Sequence, residues 1–211
     1  MRKTTGIVTA TIAASAFALL MSAPTPASAG AQEMVDGPKL KWRVSLWGKR
    51  RAFTESLEFI SDTVKKRTGG KFEFKLYYGE QLSKSKENLD AIAVGAVDAA
   101  LVCQSYHPKK LRTANVLDMP FLPITNFDVQ YAVSNAIFSH PAVKKNFKQW
   151  NATIFAINVL PQYEYMGKGK VPGSVADFKG MRLRALGGMG RSAKKIGAVP
   201  TTVPASETYN A

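Results

Sequence analysis

Residues 71–78, Lys71-Phe72-Glu73-Phe74-Lys75-Leu76-Tyr77-Tyr78, alternate cleanly, with Phe72, Phe74, Leu76 and Tyr78 on one face. Strict period-two alternation of aromatic and aliphatic residues is the pattern of a strand with one buried face. Working outward, residues 40–47 (LKWRVSLW) repeat the pattern, with Trp42, Val44 and Leu46 set against Lys41, Arg43 and Ser45. Between these two strands, Phe53, Leu57, Ile60 and Val64 recur at helical spacing. Lys65, Lys66 and Arg67 suit the negative end of that helix, and Gly69-Gly70 stop it. Beyond the second strand, Ser85 is an expected cap for a helix in which Leu89, Ile92 and Ala93 face inward and which Gly95 ends. The apolar run 97–103 then reads as a buried parallel strand. Strand, helix, strand, helix, strand is the order of βαβ units on a parallel sheet. Ligands of such sheets bind at the carboxyl ends of the strands. Attention therefore falls on Trp47-Gly48-Lys49-Arg50 and Gln104-Ser105-Tyr106-His107.

Further along, 127–137 and 142–150 read as helices broken at His140-Pro141, and 153–159 (TIFAINV) reads as a strand. Asp177-Phe178-Lys179-Gly180-Met181-Arg182-Leu183-Arg184 reads as a helix end, a glycine turn and a short strand. Alternation sends Leu183 one way and both arginines the other. An arginine held on a strand is a rigid fork whose parallel N–H donors match a carboxylate. Gly187-Gly188-Met189-Gly190 leads into another helix, and 200–203 into a strand. That glycine cluster lacks the lysine-serine or lysine-threonine ending of a P-loop and the full dinucleotide spacing. Near the end of the chain, Ser206 reads as the N-cap of an opening helix.

The first residues are expected to be a targeting segment. Arg2 and Lys3 precede an apolar stretch from Gly6 to Met21, and Ala27-Ser28-Ala29 is a small-x-small cleavage site. Residues 1–29 are therefore assigned to a signal peptide cleaved near Ala29, with no stable membrane insertion afterwards and a periplasmic destination. The apolar stretch is shorter than the ~20 residues of a comfortable span. Removing Arg2 and Lys3 lowers the formal net charge from +14 to +12. Much of the positive charge falls between Lys168 and Lys195, where Asp177 is the one acid. Export and the lack of interleaved stacking aromatics argue against nucleic acid. A field that draws in small anions fits better. The one cysteine, Cys103, sits in an apolar run, so no intrachain disulfide forms. His107 and His140 are far apart and both precede proline, so neither a metal nor a cofactor is expected. No G-x-S-x-G elbow or paired acids suggest catalysis, and the chain is read as a non-enzyme.

These landmarks, taken in order, resemble the dicarboxylate-binding (DctP) type of solute-binding protein of tripartite ATP-independent periplasmic (TRAP) transporters. The resembling pieces are Thr68-Gly69-Gly70-Lys71, Gly79-Glu80-Gln81-Leu82, 92–98 (IAVGAVD) and Met119-Pro120-Phe121-Leu122. The segment 177–184 follows, then Ile196-Gly197-Ala198-Val199-Pro200 and Glu207-Thr208-Tyr209. The resemblance implies an α/β, two-lobed, periplasmic binding-protein-like fold with parallel or mixed sheets. The first lobe would span 38–158, and 159–211 would begin a second lobe left incomplete by C-terminal truncation. It also implies that Arg184, the last residue of the motif Lys179-Gly180-Met181-Arg182-Leu183-Arg184, pairs with a ligand carboxylate. Arg182 is taken as surface. Members that bind sugar acids often add an arginine on the preceding strand. The matching segment here, Pro161-Gln162-Tyr163-Glu164-Tyr165, has none, which favours a flatter or more apolar acid. Trp47, Gln104, Tyr163 and Tyr209 complete the candidate ligand-binding set. The expected function is capture of a small organic acid for the membrane subunits of a TRAP transporter. The alternatives are an extracytoplasmic sensing module or an exported enzyme on the same scaffold.

Overall fold

In a computed structural model, strand β1 (Leu40–Ser45) lies between β2 (Phe72–Tyr77) and β3 (Ala99–Ala100), parallel to both. The description covers residues 33–210 apart from Phe121, Thr125, Pro161, Gln162, Glu164 and Lys170, so the expected signal peptide lies outside the described residues. From Met34 onward the chain forms one compact unit. Helix α1 (Glu55–Arg67) crosses from β1 to β2, and α2 (Asn88–Ala93) leads to β3. Glu55 and Glu58 sit in the first turn of α1 and its three basic residues in the last, matching the dipole at both ends. Thr68 closes the helix by donating to the Val64 carbonyl at 2.8 Å and accepting from the Phe72 N–H at 3.0 Å. Val44, Leu46, Leu57 and Ala99 form the sheet's core, with Trp42 stacked on Phe74 at its edge (5.4 Å, 5°).

Three local expectations change here. Ser45 does not point to water with Lys41 and Arg43. It is fully buried and donates to Asn88 Oδ1 at 2.9 Å. Ser85 does not cap α2. The cap position is Glu87, with no side-chain bond, and the buried Ser85 donates its N–H to Glu80 Oε1 at 2.9 Å. The third strand is shorter than the apolar run, because the Leu101 carbonyl accepts from the Asn88 amide at 3.0 Å and the chain then turns at Gln104–Tyr106. Asn88 thus ties β1, α2 and the end of β3 into one satisfied buried network.

Helices α3 (Phe127–Ser139) and α4 (Pro141–Lys148) meet at His140, whose Nδ1 accepts from the Ala142 N–H at 3.2 Å while Pro141 takes the first helical position. Val143 and Phe147 of α4 pack with Leu89, Leu111, Ala114 and Ala152 in a second core. Residues 153–159 form no strand, contrary to expectation. Their apolar side chains find partners without a ladder: Phe155 packs edge-on against Trp42 and Phe74, and Asn158 anchors the segment to the Phe53 carbonyl at 2.6 Å.

A second parallel pair, β4 (Arg182–Arg184) and β5 (Val199–Thr201), encloses α5 (Gly187–Lys195). Leu183 is half-buried and both arginines are exposed, as the alternation requires. Glycine at 190 lets α5 close onto β4, since a Cβ there would sit 2.8 Å from the Ala185 carbonyl oxygen. The expected terminal helix is a single 3-10 turn (Thr208–Asn210). Ser206 does not cap it but donates to Glu80 Oε1 at 3.2 Å.

Candidate ligand-binding site

The carboxyl ends of β1 and β3 lie side by side, which brings Trp47, just past β1, against Tyr106, just past β3. Their rings meet edge to face at 5.7 Å, and Phe53 closes the other side of Trp47 at 5.2 Å. The β4–α5 junction comes to the same place, so that Trp47, Tyr106, Leu186 and Arg184 line one cavity of about 210 Å³. Tyr163 and Arg51 line it too. Trp47 is 4% exposed, and its buried indole N–H has no acceptor among the described residues.

Arg184 projects from β4 with its Nε donating to the Val203 carbonyl at 2.9 Å. That bond fixes the plane of the guanidinium and leaves the two terminal nitrogens without a hydrogen bond to any described residue. No carboxylate among the described residues pairs with it. Burial pushes the Tyr163 hydroxyl up to about 12, with the Arg184 charge opposing. The residue as a whole is more than half exposed. Tyr106, almost fully buried, is also raised by burial, and its oxygen accepts from the Ala205 N–H at 2.9 Å. Both Arg184 and Arg51 act against that rise, so both cations bear on the same hydroxyl.

Beside this cavity is a larger one of about 720 Å³ that shares Trp47, Phe53, Cys103 and Tyr163 with it. Gln104 lines the larger one, with its amide turned toward Asp118 Oδ1 at 3.4 Å. Asp118 is buried, which raises its pKa, while the Ser105 hydroxyl at 2.7 Å, the Gly188 N–H and Gln104 pull it back down. Burial also raises the Cys103 thiol, and among the described residues the cysteine is free.

Four of the five expected ligand-binding residues border one or both cavities: Trp47 and Tyr163 both, Arg184 the smaller and Gln104 the larger. Tyr209 does not. It is 98% exposed and lines neither, because the final turn carries its ring outward. Arg51 and Tyr106 were not singled out from the sequence. Tyr106 lies within the loop flagged after β3, and Arg51 one residue past the loop flagged after β1. The signal was the position of those loops at the carboxyl ends of parallel strands.

The two histidines do different work. His107 is 3% exposed, and burial lowers its pKa to about 4, keeping the ring neutral near neutral pH. His140 caps α4. Among the described residues no group of three or more histidine, cysteine or acidic side chains is placed to hold a metal ion. Nor is any helix there long and apolar enough to cross a membrane.

Arg184 on β4 and aromatic side chains from the segments after β1 and β3 meet at one cavity beside the carboxyl ends of parallel strands, where ligands of α/β folds bind. The chain belongs to the DctP family, the bacterial extracellular solute-binding proteins of family 7, whose profile matches residues 44–211. A monocarboxylate 2-oxoacid-binding periplasmic protein from Nostoc sp. is 25% identical over 99% of this chain and 57% of its own length. A solute-binding protein from Verminephrobacter eiseniae is 24% identical over 74% of this chain and 47% of its own. The chain thus spans about half the length of these curated relatives. Among solved structures, a TRAP transporter solute-binding protein from Bordetella bronchiseptica, with copurified calcium and picolinate in its active site, is 26% identical. It superimposes with a TM-score of 0.63 over 82% of this chain and 52% of its own. A Bordetella pertussis extracytoplasmic solute receptor that binds pyroglutamic acid is 20% identical, with a TM-score of 0.65 over 81% of this chain and 56% of its own. The α/β fold with parallel sheets and the two-lobed, TRAP-type relatives agree with the expectation from sequence.

Proposed function

We propose that this protein is a periplasmic receptor that captures a small organic carboxylate and delivers it to the membrane subunits of a TRAP-type transporter. The observation that carries this reading is Arg184. Its guanidinium is oriented by one backbone bond, has no carboxylate partner among the described residues, and borders an aromatic-walled cavity. A ligand carboxylate would supply the missing partner through two parallel charge-assisted bonds. Trp47 and Tyr163 would cover its apolar part, and the amide of Gln104 would meet a further oxygen from the adjoining space. Relatives that bind 2-oxoacids, picolinate and pyroglutamic acid support a compact acid of this kind. In this mechanism the acid binds between two lobes and holds a closed state that the empty receptor samples less. An uncleaved ligand is released unchanged, so no chemical step is assigned.

A thermal-shift screen of the intact protein tests the proposal, using pyruvate, picolinate, pyroglutamate and mandelate beside their neutral amides. A ligand that binds only the folded state raises the melting temperature. The acids should raise it and the amides should not. No shift with any acid, or equal shifts with the amides, contradicts the reading.

A further inference from the structure

One short segment sets the direction of Arg184. The β4–β5 ladder ends at Arg184 and Thr201, and the chain runs on through 202–206 outside any strand. Arg184 nevertheless takes its orientation from that segment, through the Val203 carbonyl. Apart from the fully buried Pro204 and the half-buried Val203, residues 202–206 are exposed. Exposed backbone outside a ladder opens easily. A carbonyl that moves takes the guanidinium plane with it.

Three side chains from elsewhere in the fold tie this segment down. Lys86, just ahead of α2, donates its Nζ to the Thr202 carbonyl at 3.0 Å. The Tyr106 hydroxyl accepts from the Ala205 N–H at 2.9 Å. Glu80 Oε1, in the loop after β2, accepts from the Ser206 hydroxyl at 3.2 Å and from the Ser85 N–H at 2.9 Å. The bond from Arg184 to Val203 is thus bracketed by bonds to residues 202, 205 and 206. Tyr106 lines the smaller cavity itself, whereas Glu80 and Lys86 line neither cavity.

The backbone at Glu80 points the same way. Its φ is 64°, in the left-handed region where a residue with a Cβ is strained and glycine is not. Two backbone bonds pin the turn just past β1: the Gly79 N–H to the Gly48 carbonyl at 2.6 Å, and the Glu80 N–H to the Leu46 carbonyl at 3.1 Å. A glycine at 80 would make both bonds with less strain. It could not supply the carboxylate that joins Ser85 to Ser206.

We propose that Glu80 and Lys86 are positioning residues of the acid site, which hold 202–206 so that the Val203 carbonyl keeps the Arg184 guanidinium set for a carboxylate. This rests on the acid-receptor reading above and extends it to two side chains outside both cavities.

The test reads Arg184 first and the ligand second. In the intact, ligand-free protein, the Arg184 Nε–H resonance, assigned by its loss in Arg184→Lys, should exchange slowly with water because Val203 holds the proton. Glu80→Gly and Lys86→Met should each speed that exchange by about threefold or more. Lys86→Arg, which keeps a donor, should not. Titration calorimetry with pyruvate and picolinate should show the acid that binds wild type held about three- to tenfold more weakly by Glu80→Gly and Lys86→Met, the scale of one lost hydrogen bond. Lys86→Arg should restore it. Glu80→Gly relieves the strained turn, so its melting temperature should stay near that of wild type while its affinity falls. Unchanged Nε–H exchange in both variants, or unchanged affinity, overturns the positioning role and leaves the receptor reading standing. A melting temperature that falls in step with affinity in both variants marks a merely structural role and also overturns the proposal. Binding of neither acid by wild type contradicts the receptor reading and, with it, the role at the acid site.

Discussion

The Ser105 hydroxyl donates to Asp118 Oδ1 at 2.7 Å, and both residues are buried. This bond joins the turn after β3 to the segment against which α5 docks. A Cβ on Gly187 would stand only 2.2 Å from Asp118 Oδ2, so the carboxylate lies directly on the first turn of α5. The positive end of a helix is a favourable place for an anion, but burial works against the charge.

The balance gives a pH prediction. Burial is the largest influence on Asp118 and raises its folded pKa above 3.8. Its contribution to stability is then complete below the unfolded value and declines as pH rises from about 3.8 through the folded value. Asp118→Asn cannot ionise. The stability of wild type relative to this variant should fall as pH rises through that window, read from urea midpoints between pH 3.5 and 7. A constant difference would show that Asp118 titrates as it does in the unfolded chain.

Glu58 has the opposite sign. Arg50 first, then the Tyr78 hydroxyl at 2.9 Å, hold its carboxyl down at about 2 instead of 4.5. Its stabilising contribution is present above 4.5 and is lost as pH falls through about 2. Glu58→Gln should flatten the acid side of the stability profile between those values. The site is open to solvent, so added salt should shrink the effect.

Close approach makes Gly188 indispensable. A Cβ there would sit 2.6 Å from the Asp118 backbone oxygen, which cannot swing aside. Gly188→Ala should cost about 1–3 kcal/mol through overpacking. Gly167→Ala, with nothing within 4 Å, should change stability by less than about 0.5 kcal/mol. Equal denaturation midpoints for the two variants would contradict the docking of α5.

Burial separates two large apolar positions on helices. Leu89 is fully buried in the second core, whereas Phe59 is 69% exposed on α1. Leu89→Ala should cost about 2–5 kcal/mol, and Phe59→Ala little, measured by chemical denaturation.

Local periodicity made much of this architecture legible. The alternation at 71–78 reports one strand, and the helical spacing from Phe53 to Val64 runs through a 3-10 turn at Ala52–Thr54 into α1. Composition misled at 153–159, where a run of apolar residues packs through side chains such as Phe155 with no strand beside it. Periodicity missed the burial of Ser45, because the partner that makes it tolerable, Asn88, comes 43 residues later. Arg184 stood out in the sequence because it carries its own chemistry on a strand, and the structure places it on the wall of the smaller cavity. Arg51 and Tyr106 were not readable, because their meeting with Arg184 depends on how β1, β3 and β4 converge. Tyr209 lies outside both cavities, and nothing in its local sequence reports which way its turn points the ring.

The central claim is that Arg184 is the carboxylate clamp. Titration calorimetry of the intact protein and of Arg184→Ala with pyruvate, picolinate and succinate tests it most directly. The wild-type protein should bind at least one of these acids, and Arg184→Ala should bind it ten- to a hundredfold more weakly with an unchanged melting temperature in the absence of ligand. Equal affinity in the two proteins would contradict the account.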